Sequence, residues 1–236
     1  MKIKLLGFGG AFEFSVGNSS FWVEDFHGEC LLIDCGYTIF PRLMQLGIDK
    51  LPNAILLTHL HADHAGSLTN EIFWLWYHGG KKPVRIYLPA EHFREPLLAF
   101  LQVQLITPET YIDLVPLPAD GRITPIDTFG EHIPDMPTFG YILRDKQNCA
   151  VISGDIANAT TIFETLEATG TVPDFVFHEL TYDPDMSAHI HYKHLEKWTD
   201  RYRIYGYHCD PHAKPADCTI PLAWENPDFH FGDSPS

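Results

Sequence analysis

The run Thr58-His59-Leu60-His61-Ala62-Asp63-His64 constrains this chain more than any other feature. Three imidazoles and a carboxylate fall within six residues, directly after the compact apolar run 54–57, which has the character of a buried strand. On a regular strand His59, His61 and Asp63 would share one face. In a loop leaving the strand they converge, together with His64. Imidazole and carboxylate are the donors preferred by zinc and related divalent ions, and two-metal sites hold their ions about 3.5–4 Å apart. Gly66 is read as the residue that lets the chain turn back sharply against such a site.

Around this run, apolar periodicity and turn residues predict strands over 2–7, 20–24, 30–34, 54–57, 84–88, 111–116, 121–129, 138–143, 150–153, 175–177 and 203–207. They predict helices over 40–46, 68–77, 92–104, 160–168 and 193–202. No repeat period and no linker interrupts the order. Residues 1–236 therefore read as a single domain, an α/β sandwich with sheets inside and helices outside rather than a doubly wound parallel sheet. Its core is expected over roughly 1–210, with an irregular, proline-rich tail over 211–236.

Composition narrows the function. Sixteen Lys and Arg against 31 Asp and Glu give a net charge of −15, which opposes a large nucleic-acid footprint. No long apolar run follows Lys2 and Lys4, so a secretory leader is not expected. Nowhere do eighteen apolar residues run together, so no membrane-spanning helix is expected. Cys30, Cys35, Cys149, Cys209 and Cys218 lack Cys-x-x-Cys spacing and read as reduced thiols of a cytoplasmic protein.

The histidine run resembles the signature of the metallo-β-lactamase superfamily, and the likeness extends over about residues 1–210. It implies an αββα sandwich and further ligands at later strand ends. His132, in Gly130-Glu131-His132, resembles the third histidine of a first metal. Asp155, in Ser153-Gly154-Asp155, resembles the carboxylate shared by both metals. His208, at the end of the last expected strand, resembles the final histidine of the second metal, with His212 as its competitor. The implied ligand set is His59, His61 and His132 on one ion, and Asp63, His64 and His208 on the other, with Asp155 shared. Zinc is the expected metal, with manganese or iron as alternatives. Two such dications lower the pKa of a bridging water from ~15.7 toward ~7, and Asp63 is placed to hold the resulting hydroxide.

That superfamily hosts several hydrolytic reactions, so the remaining residues must choose among them. Gly17-Asn18-Ser19-Ser20 and Leu32-Ile33-Asp34-Cys35-Gly36 resemble the opening of its ribonuclease Z-like branch. His178-Glu179-Leu180-Thr181 resembles that branch's glutamate motif, and Ser187-Ala188-His189-Ile190-His191 lies where the branch keeps a histidine that protonates the leaving oxygen. A ribose alkoxide leaves poorly, so a general acid is required, and Glu179 would raise the pKa of an adjacent imidazole. His191 is the favoured acid, ahead of His189 and then His194. The sequence departs from the branch here, with Ile190 or Tyr192 where small hydroxyl residues follow the histidine.

Full ribonuclease Z enzymes insert a long basic arm between the third histidine and the shared aspartate. The stretch from His132 to Asp155 is too short to hold one. The resemblance therefore implies a small phosphodiester substrate such as a cyclic nucleotide, and a homodimer by analogy. The competing readings are a lactone or thioester hydrolase, a transfer-RNA 3′-processing endonuclease, and a binding protein that keeps the metals as structure. Phe73, Trp74, Trp76 and Tyr77 follow the metal run and offer a base-stacking surface, with core or dimer packing as the blander alternative.

Overall fold

In this computed structural model, which describes residues 1–48 and 51–231, strands and helices alternate largely as the apolar pattern predicts. The first half forms β1 (Lys2–Gly7), β2 (Ser20–Phe26), β3 (Glu29–Ile33), α1 (Ile39–Leu46), β4 (Ala54–Leu56), α2 (Ala62–Ala65), α3 (Leu68–His78), β5 (Val84–Leu88), α4 (Arg94–Leu105) and β6 (Ile112–Pro116). The second half forms β7 (Ile123–Asp127), β8 (Phe139–Arg144), β9 (Cys149–Ile152), α5 (Thr160–Thr169), β10 (Phe175–Glu179), α6 (Tyr192–Leu195) and β11 (Ile204–Tyr207).

β1 to β6 make one sheet in sequence order, and the other five strands make a second in the order β11-β10-β9-β8-β7. Where strands follow one another without a helix (β1-β2-β3 and β7-β8-β9), pairing is antiparallel. Where helices intervene (β3 to β6 and β9 to β11), pairing is parallel, as crossover connections require.

Period-two alternation sorts the second sheet's side chains between two cores. Tyr141, Leu143, Ile152, Phe177 and Tyr207 face the first sheet and join its core. The residues between them, among them Ile142, Val151 and Val176, point the other way onto Ile162, Phe163 and Leu166 of α5 and Leu195 of α6. Phe21 of β2 meets Phe177 and Tyr207 edge-on, with ring centroids 5.2 and 5.1 Å apart. Ile39 and Leu43 of α1, Ile72 of α3 and Leu97 of α4 belong to the first sheet's core. The result is the αββα sandwich that the sequence predicts.

Three local expectations are corrected. The histidine run is not all loop, since Ala62–Ala65 closes into a helical turn. The helix expected over 193–202 is broken: α6 ends at Leu195 and gives way to a 3-10 turn, Glu196–Trp198. Gly66 has an ordinary helical φ of −62°, so it is not there to permit a sharp turn. Its lack of a side chain instead leaves room for the Ala62 carbonyl oxygen, which would lie 2.3 Å from an added Cβ, and for Tyr37, whose Cβ would lie 3.1 Å from it.

After β11 the backbone is irregular apart from three short 3-10 turns, yet it packs closely. Phe229 is buried with its ring 4.9 Å from that of Phe177 and 5.0 Å from that of Tyr205. Residues 232–236 of the expected tail lie outside the described residues. Among the described residues no helix is long and apolar enough to cross a membrane.

Candidate metal centre

The site is assembled where strands end. Asp34 follows β3, Thr58 and His59 follow β4, Asp155 follows β9, Glu179 is the last residue of β10, and His208 follows β11. Exits at the carboxyl ends of parallel strands are where α/β sheets place their ligands. Two of these residues sit in left-handed backbone that residues other than glycine rarely adopt: φ is 62° at Asp34 and 63° at His208. Such strain survives where the surrounding structure holds the residue in place for its role. Gly36 and Gly154 allow the approach. A Cβ at Gly36 would lie 2.0 Å from the Asp63 carbonyl oxygen, and one at Gly154 would lie 2.4 Å from that of Phe139.

The seven expected donors come together in two groups. His59 Nε2 faces His61 Nδ1 at 3.0 Å, and His132 Nε2 faces the same nitrogen at 3.1 Å. In the second group, His64 Nε2 and His208 Nε2 are 3.1 Å apart. Asp63 Oδ2 is 3.4 and 3.2 Å from those two nitrogens, and Asp155 Oδ2 is 3.3 and 3.4 Å from them. Asp155 Oδ2 also lies 3.8 Å from His59 Nε2 and 3.9 Å from His132 Nε2. One carboxylate therefore touches both groups. Its other oxygen, Oδ1, is buried and has no hydrogen-bond partner. A buried carboxylate oxygen in that state is costly unless a cation answers it, so the residues fit a divalent metal centre.

Outer hydrogen bonds aim the nitrogens inward. Asp34 Oδ1 accepts from the Thr58 amide and Oδ2 accepts from the Thr58 hydroxyl, each at 2.7 Å. Asp34 Oδ2 also accepts from His64 Nδ1 at 2.8 Å. With its proton committed to Asp34, the Thr58 hydroxyl accepts from His59 Nδ1 at 3.1 Å. His132 Nδ1 donates to the Ala188 carbonyl at 2.7 Å. In each case the opposite nitrogen is left with a lone pair facing the cluster, the arrangement that fixes metal-binding imidazoles. Asp34 and Thr58 both lie inside the motifs read from the sequence, which give neither of them a role.

Electrostatics agree. Burial holds His59, His61 and His132 below the ordinary imidazole range, so they are neutral and free to donate. Burial works against ionisation of Asp63 and Asp155, but their histidine neighbours overcome it and hold both well below the usual carboxylate range. At His64 burial also opposes charge, and Asp155 and Asp34 outweigh it. A field that favours positive charge there favours a metal cation equally.

The family described as Anti-Pycsar protein Apyc1 matches residues 1–220. The chain belongs to that family. It is 32% identical over 162 residues to the anti-Pycsar protein Apyc1 of Paenibacillus harenae, a match spanning 62% of this chain and 65% of that protein. Less than two thirds of that relative's length is therefore covered. Two solved structures share the fold. A diphosphatase of the PhnP family superposes with a TM-score of 0.69 at 19% identity, covering 94% of both chains. The short form of human tRNase Z superposes with a TM-score of 0.66 at 20% identity, covering 94% of this chain and 96% of that one. The metallo-β-lactamase fold protein YhfI of Bacillus subtilis also superposes, with a TM-score of 0.68 at 19% identity, covering 91% of this chain and 88% of that one, so the sandwich is a metallo-β-lactamase fold.

In this member of the Apyc1 family the two candidate histidines are placed differently. His189, not His191, is the histidine brought to Glu179, with its Nδ1 3.2 Å from Glu179 Oε2. The same nitrogen lies 3.9 Å from Asp155 Oδ2. His191 is drawn away because its backbone bridges Thr181 and it caps α6, where its ring meets those of Tyr192 and His194. Glu179 is fully buried, and it accepts hydrogen bonds from the Ile156 amide at 2.9 Å and the Ile190 amide at 3.4 Å through Oε1. Burial lowers the charge preference of His189, but Glu179 more than reverses this and raises its pKa to about 9. Glu179 itself is shifted up by burial.

Other candidates lie elsewhere. His212 packs on Trp224, leaving His208 as the cluster's histidine. Phe73 and Trp76 pack against Tyr111, and Trp74 against Phe40. None of these aromatics lines the cavity above the cluster.

Proposed function

We propose that this chain is a metal-dependent hydrolase that cleaves a small phosphodiester, a cyclic nucleotide foremost, at a centre of two divalent ions. The observation that carries the reading is the Glu179–His189 pair standing beside the seven-donor cluster. Hydrolysis of an activated ester or lactone does not need a cationic acid there, whereas expulsion of a ribose alkoxide does.

His59, His61 and His132 would hold one ion, Asp63, His64 and His208 the other, and Asp155 both. Zinc suits these donors, and manganese or iron also accept them. When bound, the ions supply an acidified water nucleophile and positive charge opposite the phosphoryl oxygens. Asp63, held ionised by His208 and His64, accepts a hydrogen bond from the attacking water and orients it. His189, whose pKa Glu179 raises, would donate a proton to the departing sugar oxygen as the P–O bond breaks. Glu179 keeps the imidazole turned toward that oxygen and stabilises its charge. The buried amide donors of Ile156 and Ile190 in turn fix Glu179.

Charge and topology support a small substrate. The net charge is −15, and the chain between His132 and Asp155 is taken up by β8 and β9, with no arm to grip a transfer RNA. A cytoplasmic location goes with this reading. A homodimer belongs to the same reading.

Purified protein with saturating zinc or manganese is to be incubated with 2′,3′- and 3′,5′-cyclic nucleotides while its metal content is measured. Turnover with about two ions per chain is expected. A metal-loaded protein that opens none of them overturns the reading.

A further inference from the structure

The cavity that exposes the cluster has a volume of about 700 Å³, within the general range of sites for one small molecule. Beside the cluster its walls carry side chains of two opposed kinds. Phe12, Ile133 and Met186 line it and are exposed, Phe12 at 83%. Glu13, Asp183 and Asp210 also line it, and among the described residues no lysine or arginine does.

Phe12 is not the tip of a loose loop. Asn18 Nδ2 donates to the Gly10 carbonyl at 3.0 Å, and the Tyr37 hydroxyl donates to the Ala11 carbonyl. The amides of Val16 and Gly17 both donate to the Glu13 carbonyl, at 3.2 and 3.1 Å. The loop also passes against the cluster, since a side chain at Gly10 would come within 3.2 Å of the His208 ring. A phenylalanine ring pinned in water next to a polar centre is a cost that an apolar ligand face removes.

We propose that Phe12 is the seat of the substrate's nucleobase, with Ile133 and Met186 completing an apolar wall. The inference rests on the phosphodiester reading above. Charge selects the occupant: a second phosphate placed at this wall would meet three acidic side chains and no cation. A neutral heterocycle stacks on an aromatic face irrespective of sequence, and its exocyclic N–H groups suit carboxylate neighbours. The site therefore takes a phosphodiester with one negative charge and a base, and disfavours nucleotides that carry a further phosphate.

The test compares the metal-loaded wild type with Phe12→Ala and Phe12→Trp. Calorimetry measures binding of a hydrolysis-resistant cyclic nucleotide phosphorothioate and of the matching base-free cyclic ribose phosphorothioate. The wild type is expected to prefer the nucleotide. Phe12→Ala is expected to shrink that preference by roughly 5–100-fold, the span of one lost base–aromatic stack, and Phe12→Trp to keep it. An unchanged preference in Phe12→Ala, or an equal loss for both ligands, overturns the proposal. A wild type that binds the nucleotide through Phe12 without hydrolysing cyclic nucleotides sinks the catalytic reading and leaves the nucleobase seat standing. A wild type that does not distinguish the two ligands overturns the seat, whatever its turnover.

Discussion

Asp34 Oδ2 accepts from His64 Nδ1 at 2.8 Å, and through this contact a residue outside the donor cluster governs which nitrogen of His64 faces it. Asp34→Asn places an amide where the imidazole N–H needs an acceptor. Metal affinity is expected to fall about 10–100-fold, as for other outer-shell partners of metal-bound histidines. Competition against a chelator of known affinity reads it, and unchanged affinity would show that His64 holds its orientation by other means.

The Glu179–His189 pair predicts a dependence on the leaving group. His189→Ala should lower kcat on cyclic nucleotides about 10²–10⁴-fold, with Glu179→Gln somewhat milder. Against a p-nitrophenyl phosphodiester, whose phenolate leaves without a proton, both losses should nearly vanish. His191→Ala should behave like the wild type on both substrates. A lactone or thioester hydrolase would instead show no difference between good and poor phosphate leaving groups.

Chelation should destabilise the fold. Asp63 and Asp155 are buried carboxylates whose cations stabilise only the native chain. Each ion at a hundredfold excess over its Kd adds ~2.7 kcal/mol, and each kcal/mol moves Tm by roughly 2–4 °C at this size. Dialysis against chelator should lower Tm by about 5–10 °C for each ion removed, and restoring the metal should bring it back. An unshifted melting curve by calorimetry would argue against bound ions.

Glu71 of α3 is fully buried, and neither of its carboxylate oxygens has a hydrogen-bond partner. Burial raises its pKa to about 7 from the ordinary 4.5. Between those values the folded chain keeps a proton that the unfolded chain has released. Stability therefore falls as pH rises from about 4.5 to about 7 and is level above that. A displacement of that size is worth about 3 kcal/mol. Glu71→Gln should flatten this fall, gaining about 1–3 kcal/mol over the wild type at pH 8 relative to pH 5 in denaturant titrations. Parallel pH profiles for the two proteins would place the slope elsewhere.

What could be read in the sequence was whatever is written locally. Four donors in one short run after a buried strand announce their chemistry, and near-continuous apolar runs along β8 to β11 suit a sheet covered on both faces. His132, Asp155 and His208 were legible only through their order along the chain. Position 34 was opaque because its partners come through sheet pairing. β3 and β4 run parallel with Ile33 opposite Leu56, which brings Asp34 to Thr58 and His64, and nothing near residue 34 encodes that. An aspartate at the exit of an apolar strand was the available signal. The choice between His189 and His191 was also opaque. Two residues apart, they would share a face in an extended chain, and only the bend over 187–189 and the bridge from Thr181 to His191 separate them.

The position of His208 has a consequence for synthesis. The other six donors precede β10, yet the cluster closes only after β11, the edge strand that pairs with β10 alone in its sheet. A nascent chain that has emerged through Glu179 thus carries six of the seven donors and still lacks His189 and one corner of the cage. The docking of a single four-residue strand becomes the step at which a growing polypeptide turns into a working centre, and destabilising mutations in β11 should delay maturation even where they leave the finished protein intact.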